Sequence, residues 1–146
     1  MIQRVSEASV RVDGEVIAGI DGGLLVLLGV EDGDSGQDAA WLAGKVARMR
    51  IFADDAGQMN VSLLDTGGRA LVVSQFTLHA LTRKGNRPSF IRAARAAVSE
   101  PLCEEFCLAL ESLLGRAVAR GRFAADMKVS LTNDGPVTII IDSRER

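Results

Sequence analysis

Ala70-Leu71-Val72-Val73-Ser74-Gln75-Phe76-Thr77-Leu78 begins as uninterrupted core and ends with polar and apolar residues interleaved. Leu71, Val72 and Val73 form an aliphatic, β-branched run that reads as a buried strand. From Ser74 onward the chemistry changes. If the strand continues, Gln75 and Thr77 share one face, and Ser74, Phe76 and Leu78 share the other. Three polar side chains at the end of a core strand must find hydrogen-bond partners, meet solvent or line a pocket. The pattern fits a strand emerging from the core as well as it fits a pocket wall.

Moving outward, strand signals dominate. Val10 and Val12 alternate with polar neighbours, Asp13-Gly14 makes a tight turn, and Val16, Ala18 and Ile20 return as the second arm of a hairpin. Leu24 to Val30 is apolar throughout, as expected of a strand buried on both faces. Asp34 or Ser35 caps a helix reaching about Met49. Ile51-Phe52 and Met59 to Leu63 form a short hairpin about Asp54-Asp55-Ala56-Gly57. A long basic connection follows from His79 to about Ser99, with room for a short helix over 90–97. Ser99 then caps a second helix that starts at Glu100 or Pro101 and ends near Arg120, stopped by Gly121.

Near the end, Asn133-Asp134-Gly135-Pro136-Val137-Thr138 separates two strand patterns, Met127 to Leu131 and Val137 to Ile141. Pro136 removes a ladder donor, so the chain must break, bulge or turn there; Asn-Asp-Gly-Pro is also ordinary hairpin chemistry. The tally is one α+β domain over residues 1–146, with mostly antiparallel sheet and two main helices.

Composition narrows the function classes. With no Tyr and one Trp among 146 residues, the core is aliphatic. No stretch approaches the roughly 20 apolar residues of a membrane span. The N-terminal residues alternate and are charged, unlike a targeting peptide, which points to the cytoplasm. Cys103 and Cys107 lie four apart on one helix face beside Leu110 and Leu114 and read as buried free thiols. A single histidine leaves no zinc ligand set, and no metal or cofactor motif is present. Residues 66–99 hold Arg69, Arg83, Lys84, Arg87, Arg92 and Arg95 and no acid, which leaves 11 Lys/Arg against 19 Asp/Glu elsewhere. This +6 block brackets Ser74 to Thr77. It suits a phosphate-bearing substrate, or is simply a solvated basic loop.

Two motifs together resemble one family. Ser74-Gln75-Phe76-Thr77-Leu78 and Asn133-x-Gly135-Pro136-Val137-Thr138 are similar to the signature segments of the D-aminoacyl-tRNA deacylases. The opening Met1-Ile2-Gln3-Arg4-Val5, the segment from Arg50-Ile51-Phe52 through Met59-Asn60-Val61-Ser62, and Lys84-Gly85-Asn86-Arg87-Pro88-Ser89-Phe90 resemble it too, in the same order. The resemblance implies a barrel-like sheet core in a homodimer. It also implies hydrolysis of the ester between a D-amino acid, or mischarged glycine, and the tRNA 3′ end. By position, Ser74, Gln75, Phe76 and Thr77 would line the catalytic pocket, with the Phe76 amide among its main-chain contacts. Met127 would pack near the terminal adenine. Gly135 and Pro136, joined by a cis bond and inserted from the partner, would exclude L-substrates.

The residues themselves leave alternatives. His79, two positions past Thr77, is placed to act as its base, but nothing marks a third member to orient it; a surface or satisfied loop histidine is the simpler reading. A non-catalytic dimer gripping RNA 3′ ends and a hydrolase of small D-amino acid esters are the competing functions. The first needs more stacking surface than Phe76 and Phe90 supply.

Overall fold

The computed structural model describes residues 1–146, and every element is explained by how its two faces are covered. Strand β1 (Ile2–Val12) is the spine. Asp13 and Gly14 take positive φ angles of 49° and 82°, which lets the chain reverse into β2 (Glu15–Ile20). After Asp21 and Gly22, β3 (Gly23–Leu28) continues along the same edge of β1 in an unbroken register: Ala8 faces Ile20, Val5 faces Gly23 and Ile2 faces Val26. Antiparallel pairing thus runs the length of β1.

Helix α1 (Gly36–Arg48) follows, with Ser35 at its N-cap. The Ser35 N–H and hydroxyl both donate to the Asp38 carboxylate, at 2.9 and 2.8 Å. Next come the small hairpin β4 (Phe52–Ala53) and β5 (Met59–Val61), and the one-turn helix α2 (Leu63–Thr66). Strand β6 (Arg69–Ser74) lies parallel to β3, from Gly23 opposite Arg69 to Leu28 opposite Ser74. Helix α3 (Ala96–Leu114) crosses over to β7 (Ala119–Arg120), which is parallel to β6. Strand β8 (Lys128–Ile139) returns to the free edge of β1. The sheet is therefore antiparallel around β1 and parallel beyond β3, and it curls into a nearly closed barrel-like core.

That curl explains the all-apolar runs. Leu24, Val26, Ala70 and Val72 point outward to Ala43, Val46, Phe106 and Leu110 of α1 and α3. Leu25, Leu71 and Val73 point inward to Val5, Val10 and Ile20. Both faces of β3 and β6 are buried, so neither can alternate with polar residues. Each fully buried aliphatic side chain contributes about 1.5–3 kcal/mol of hydrophobic transfer. No helix is long and apolar enough to cross a membrane.

Four expectations change. First, β6 stops at Ser74 and does not run to Leu78; Phe76–His79 is a 3-10 turn. The ladder ends because β3 ends: the Gln75 N–H still reaches the Leu28 carbonyl at 2.8 Å, and beyond it there is no strand to pair. Second, α3 starts at Ala96, with Ser99 and Pro101 inside it, and ends at Gly115 in the left-handed region (φ 65°), well before Gly121. Ser99 is no cap, since its hydroxyl bonds back to the Arg95 carbonyl at 3.1 Å. Ala96 and Ala97, strong helix formers, carry the extra turn. Third, of the break, bulge or turn left open at residues 133–138 the structure takes the bulge, and the hairpin reading falls because the chain does not reverse. Partners on β1 jump from Thr138 opposite Gln3 to Asn133 opposite Val5, a bulge within one continuous strand. Fourth, α2 went unread, although Ser62 and Asp65 form a capping box at its start.

Candidate active site

The parity that buries β6 also sets the direction of Ser74. Ala70, Val72 and Ser74 lie on one face, towards α3, so Ser74 meets the side chains that α3 presents. There Cys103 stands beside the Ser74 hydroxyl; burial pushes this thiol up, while the hydroxyl works the other way. One turn on, burial pushes Cys107 up to about 11. Both cysteines are free, as expected, and poor nucleophiles in this setting.

A cavity of about 560 Å³ opens between these elements, lined among others by Ser74, Ala97, Cys103, Arg120, Gly121 and Phe123. That volume is within the roughly 300–1,000 Å³ typical of small-molecule sites. Arg120 is committed to the wall: it donates to Glu111 at 2.7 Å, to Glu104 at 3.3 Å and to the Val118 carbonyl at 3.0 Å. The Glu111 hydrogen bond, above all, holds its charge firmly in place. Met127 sits just behind Gly121; a Cβ added there would come within 2.7 Å of the Met127 sulfur.

Past Ser74, the 3-10 turn replaces the alternating faces with a compact loop. The Gln75 side-chain amide donates to the Thr77 hydroxyl at 2.5 Å, so the two stay adjacent for a different reason than strand parity. Phe76 is 55% exposed and packs edge-on against Phe90 at 5.1 Å between ring centres. The main-chain N–H groups of Phe76 and Thr77 donate to nothing within the chain. Unsatisfied donors are the usual property of a first helical turn; here two neighbours stand free at the end of the core strand.

His79 is neither a surface nor a satisfied residue. Its Nε2 is buried without a hydrogen-bond partner, packed on Gly29 so closely that a Cβ there would lie 2.8 Å away. Three-residue periodicity turns it to a different side from Thr77, and it lines a separate, mostly apolar cavity of about 280 Å³ with Glu31 and Arg92. Glu31 is 7% exposed, and Arg92 holds it with bonds of 2.5 and 2.9 Å. Arg92, and secondarily Arg144, keep its carboxyl below the usual range. This pair fastens the basic connection to the loop before α1.

The Gly135-Pro136 bond is cis, within the β8 bulge. Arg4 grips this bulge: its Nε donates to the Asp134 carbonyl at 2.9 Å and its Nη1 to the Ile51 carbonyl at 2.6 Å. Asn133 spans the bulge, accepting from the Val137 N–H and donating to the Thr138 hydroxyl, both at 3.0 Å. Of the motif residues Ser74 alone lines this cavity; Gln75, Phe76 and Thr77 follow on the 3-10 turn, Met127 lies behind Gly121, and Gly135 and Pro136 lie elsewhere on the same chain.

The family model for D-Tyr-tRNA(Tyr) deacylase matches residues 1–142. The chain belongs to that family. A relative from Dechloromonas aromatica (strain RCB), a D-aminoacyl-tRNA deacylase, is 57% identical over 144 residues, covering 99% of this chain and 96% of its own. A solved structure of a c-Myc DNA unwinding element binding protein superposes with a TM-score of 0.88 at 37% identity, covering 94% and 93% of the two chains. Another, a probable eukaryotic D-amino acid tRNA deacylase, shares the fold at a TM-score of 0.81 and 17% identity, covering 92% and 93%.

For a chain of the D-Tyr-tRNA(Tyr) deacylase family, the sequence motifs point to these segments and not to the residues that support them. Arg4 belongs to the opening resemblance without a role there; its side chain is only 14% exposed, held between β1 and the β8 bulge. Arg120, Glu104 and Glu111 were invisible because they meet only when α3 and β7 pack together. Gly121, expected to stop the helix, forms part of the cavity wall, and Gly115 ends α3.

Proposed function

We propose that this chain is a D-aminoacyl-tRNA deacylase that acts as a cytoplasmic homodimer, hydrolysing the ester between a D-amino acid or mischarged glycine and the tRNA 3′ end. The observation that carries the reading is the pair of adjacent, unpartnered N–H groups of Phe76 and Thr77 beside the Ser74 cavity. An aminoacyl ester is already activated, so positioning and charge stabilisation suffice. A single donor aimed at a developing oxyanion is typically worth about 10²–10³ in rate. In this mechanism the main-chain donors receive the substrate carbonyl oxygen as the attacking water adds. Ser74 lines the pocket, Gln75 and Thr77 on the turn that follows it orient the ester, and the adenosine 2′-hydroxyl assists the water. Met127, behind Gly121, shapes the end that takes the adenine.

Gly135 and Pro136 act on the partner's pocket, blocking the space an L-side chain would occupy. Strand register supports a second copy. Ser74 pairs with Leu28, whereas Arg4, which holds the bulge, pairs with Leu24. From β6 across β3 and β1 to β8 is about 14 Å sideways, and four residues are about 13 Å along the strands. Counted over the curled sheet the two motifs stand about 20 Å apart, and it is the bulge of a second copy that we place at the pocket. Phe76, Leu78 and Ile140 add exposed apolar area that a partner would cover.

The test is deacylation of matched D- and L-aminoacyl-tRNA by the purified protein. Loss of the D-ester with the L-ester spared is expected; equal hydrolysis of both would remove the exclusion role of Gly135 and Pro136. Gripping RNA ends without turnover is the second reading, favoured by Arg83, Lys84, Arg87 and Arg95, all exposed and without acidic partners. Tight, salt-sensitive binding with no hydrolysis of either ester would select it.

A further inference from the structure

The cavity beside Ser74 has two arginines on its wall, and they are not equivalent. Arg120 is neutralised by Glu104 and Glu111, at 3.3 and 2.7 Å, and has no charge to spare. Arg122, two residues on, lines the same cavity, is exposed, and donates to no group of the chain. A tight turn presents it: the Ala125 N–H bonds the Arg122 carbonyl at 3.2 Å, and Ala124 takes a left-handed φ of 60°. Residues with a side chain seldom adopt that conformation, so the backbone here is held by its surroundings. Ala96 and Ala97 at the start of α3 line the same cavity, and Arg95 just before them is exposed and has no acidic partner.

We propose that Arg122 is a substrate-positioning residue that binds the phosphodiester next to the terminal nucleoside, so that this site takes a 3′-aminoacyl nucleotide at a chain end and discriminates against a free aminoacyl nucleoside. This rests on the deacylase reading and adds to it. A guanidinium forms paired hydrogen bonds to phosphate oxygens, and its weak hydration lowers the cost of docking. Glu100, which also lines the cavity and has no partner, opposes the anion. Removing its charge should tighten the same complex.

The experiment compares wild type, Arg122→Gln, Arg122→Lys and Glu100→Gln on two substrates: a D-aminoacyl-tRNA and the corresponding 3′-O-D-aminoacyl adenosine, which lacks the phosphate. On tRNA, Arg122→Gln should raise KM about tenfold with kcat changed less than twofold, and Arg122→Lys should recover most of the loss. The slope of log(kcat/KM) against log salt should fall by about one for Arg122→Gln. Glu100→Gln should lower KM on tRNA. On the nucleoside ester, Arg122→Gln should leave the KM ratio to wild type near one. Equal losses on both substrates, or an unchanged KM and salt slope on tRNA, would overturn the proposal. If wild type hydrolyses neither substrate, the deacylase reading itself has failed.

Discussion

Arg4 and Asp134 are joined through the main chain as well as through their charges. The Arg4 Nε lies 2.9 Å from the Asp134 carbonyl and 3.7 Å from its carboxylate, while Nη1 reaches the Ile51 carbonyl at 2.6 Å. One guanidinium thereby ties the β8 bulge to β1 and to the segment that leads into β4. Hydrogen bonds from a charged donor are worth about 1.5–3 kcal/mol each in net terms.

Arg4→Gln should therefore lower the unfolding free energy by about 2 kcal/mol, read by urea denaturation. With its anchor gone, the Asp134-Gly135-Pro136 segment should sample more positions. The ratio of D- to L-ester hydrolysis should fall about tenfold, a loss of roughly 1.4 kcal/mol in discrimination. Retained selectivity in a folded Arg4→Gln variant would show that the bulge holds its position without the guanidinium.

Gly29 is the floor under the 3-10 turn. A Cβ there would sit 2.8 Å from His79 Nε2 and 3.3 Å from the Gln75 carbonyl, so Gly29→Ala must displace the segment that bears Phe76 and Thr77. The expected cost is about 1–3 kcal/mol of overpacking, with deacylation down about tenfold or more. Trimming His79 makes room, so Gly29→Ala/His79→Ala should regain activity relative to Gly29→Ala alone. A double variant no better than the single would indicate that the Gln75 carbonyl, not the imidazole, sets the limit.

Thr77 accepts a hydrogen bond from Gln75, and His79 faces away from it. Without a base, its hydroxyl is a poor nucleophile. Thr77→Ala should keep kcat within about threefold of wild type, whereas loss of a covalent nucleophile costs about 10⁴ or more. Single-turnover hydrolysis of the D-ester separates the two.

Asp38 supplies a pH-dependent contribution. The Ser35 hydroxyl, then the Ser35 N–H and the Arg146 side chain, hold its carboxyl down to about 2 from an ordinary 3.8. A folded-state pKa below the unfolded one means the stabilisation is complete well above pH 3.8 and fades as pH falls towards 2. Asp38→Asn should cost about 1 kcal/mol at pH 7, the usual value of an N-terminal cap, and progressively less at pH 4 and pH 3. Urea titrations at the three pH values check it; a gap that stays constant would mean the loss is steric.

Local rules carried most of the fold. Asp13-Gly14 set the first hairpin, Ser35 started α1, and the two-sided burial of β3 and β6 was visible in Leu24 to Leu28 and in Ala70 to Val73. What escaped depended on partners distant in the chain. Ser74 to Leu78 alternates well enough to be a strand, yet β3 stops at Leu28 and leaves it unpaired. The start of α3 was obscured because Ser99 and Pro101 look like a cap and a first-turn proline, while Ala96 and Ala97 add a turn ahead of them. The motif residues of the candidate site come from the resemblance. The Arg120–Glu111 wall was not, since its members come from different elements.

The parallel pairing of β3 with β6 sets when the site comes into being during folding. Gly23 meets Arg69 across 46 positions of chain, whereas β1 and β2 meet through a two-residue turn. Loop closure of that length is slow relative to hairpin formation, so the N-terminal arm should assemble first and the β3–β6 ladder late. Only when that ladder reaches Leu28 and Ser74 does the chain beyond it have a fixed point from which to turn. In a refolding experiment, hydrogen-exchange protection should therefore appear in residues 2–20 before it appears in residues 69–74, and deacylation should return only with the second group.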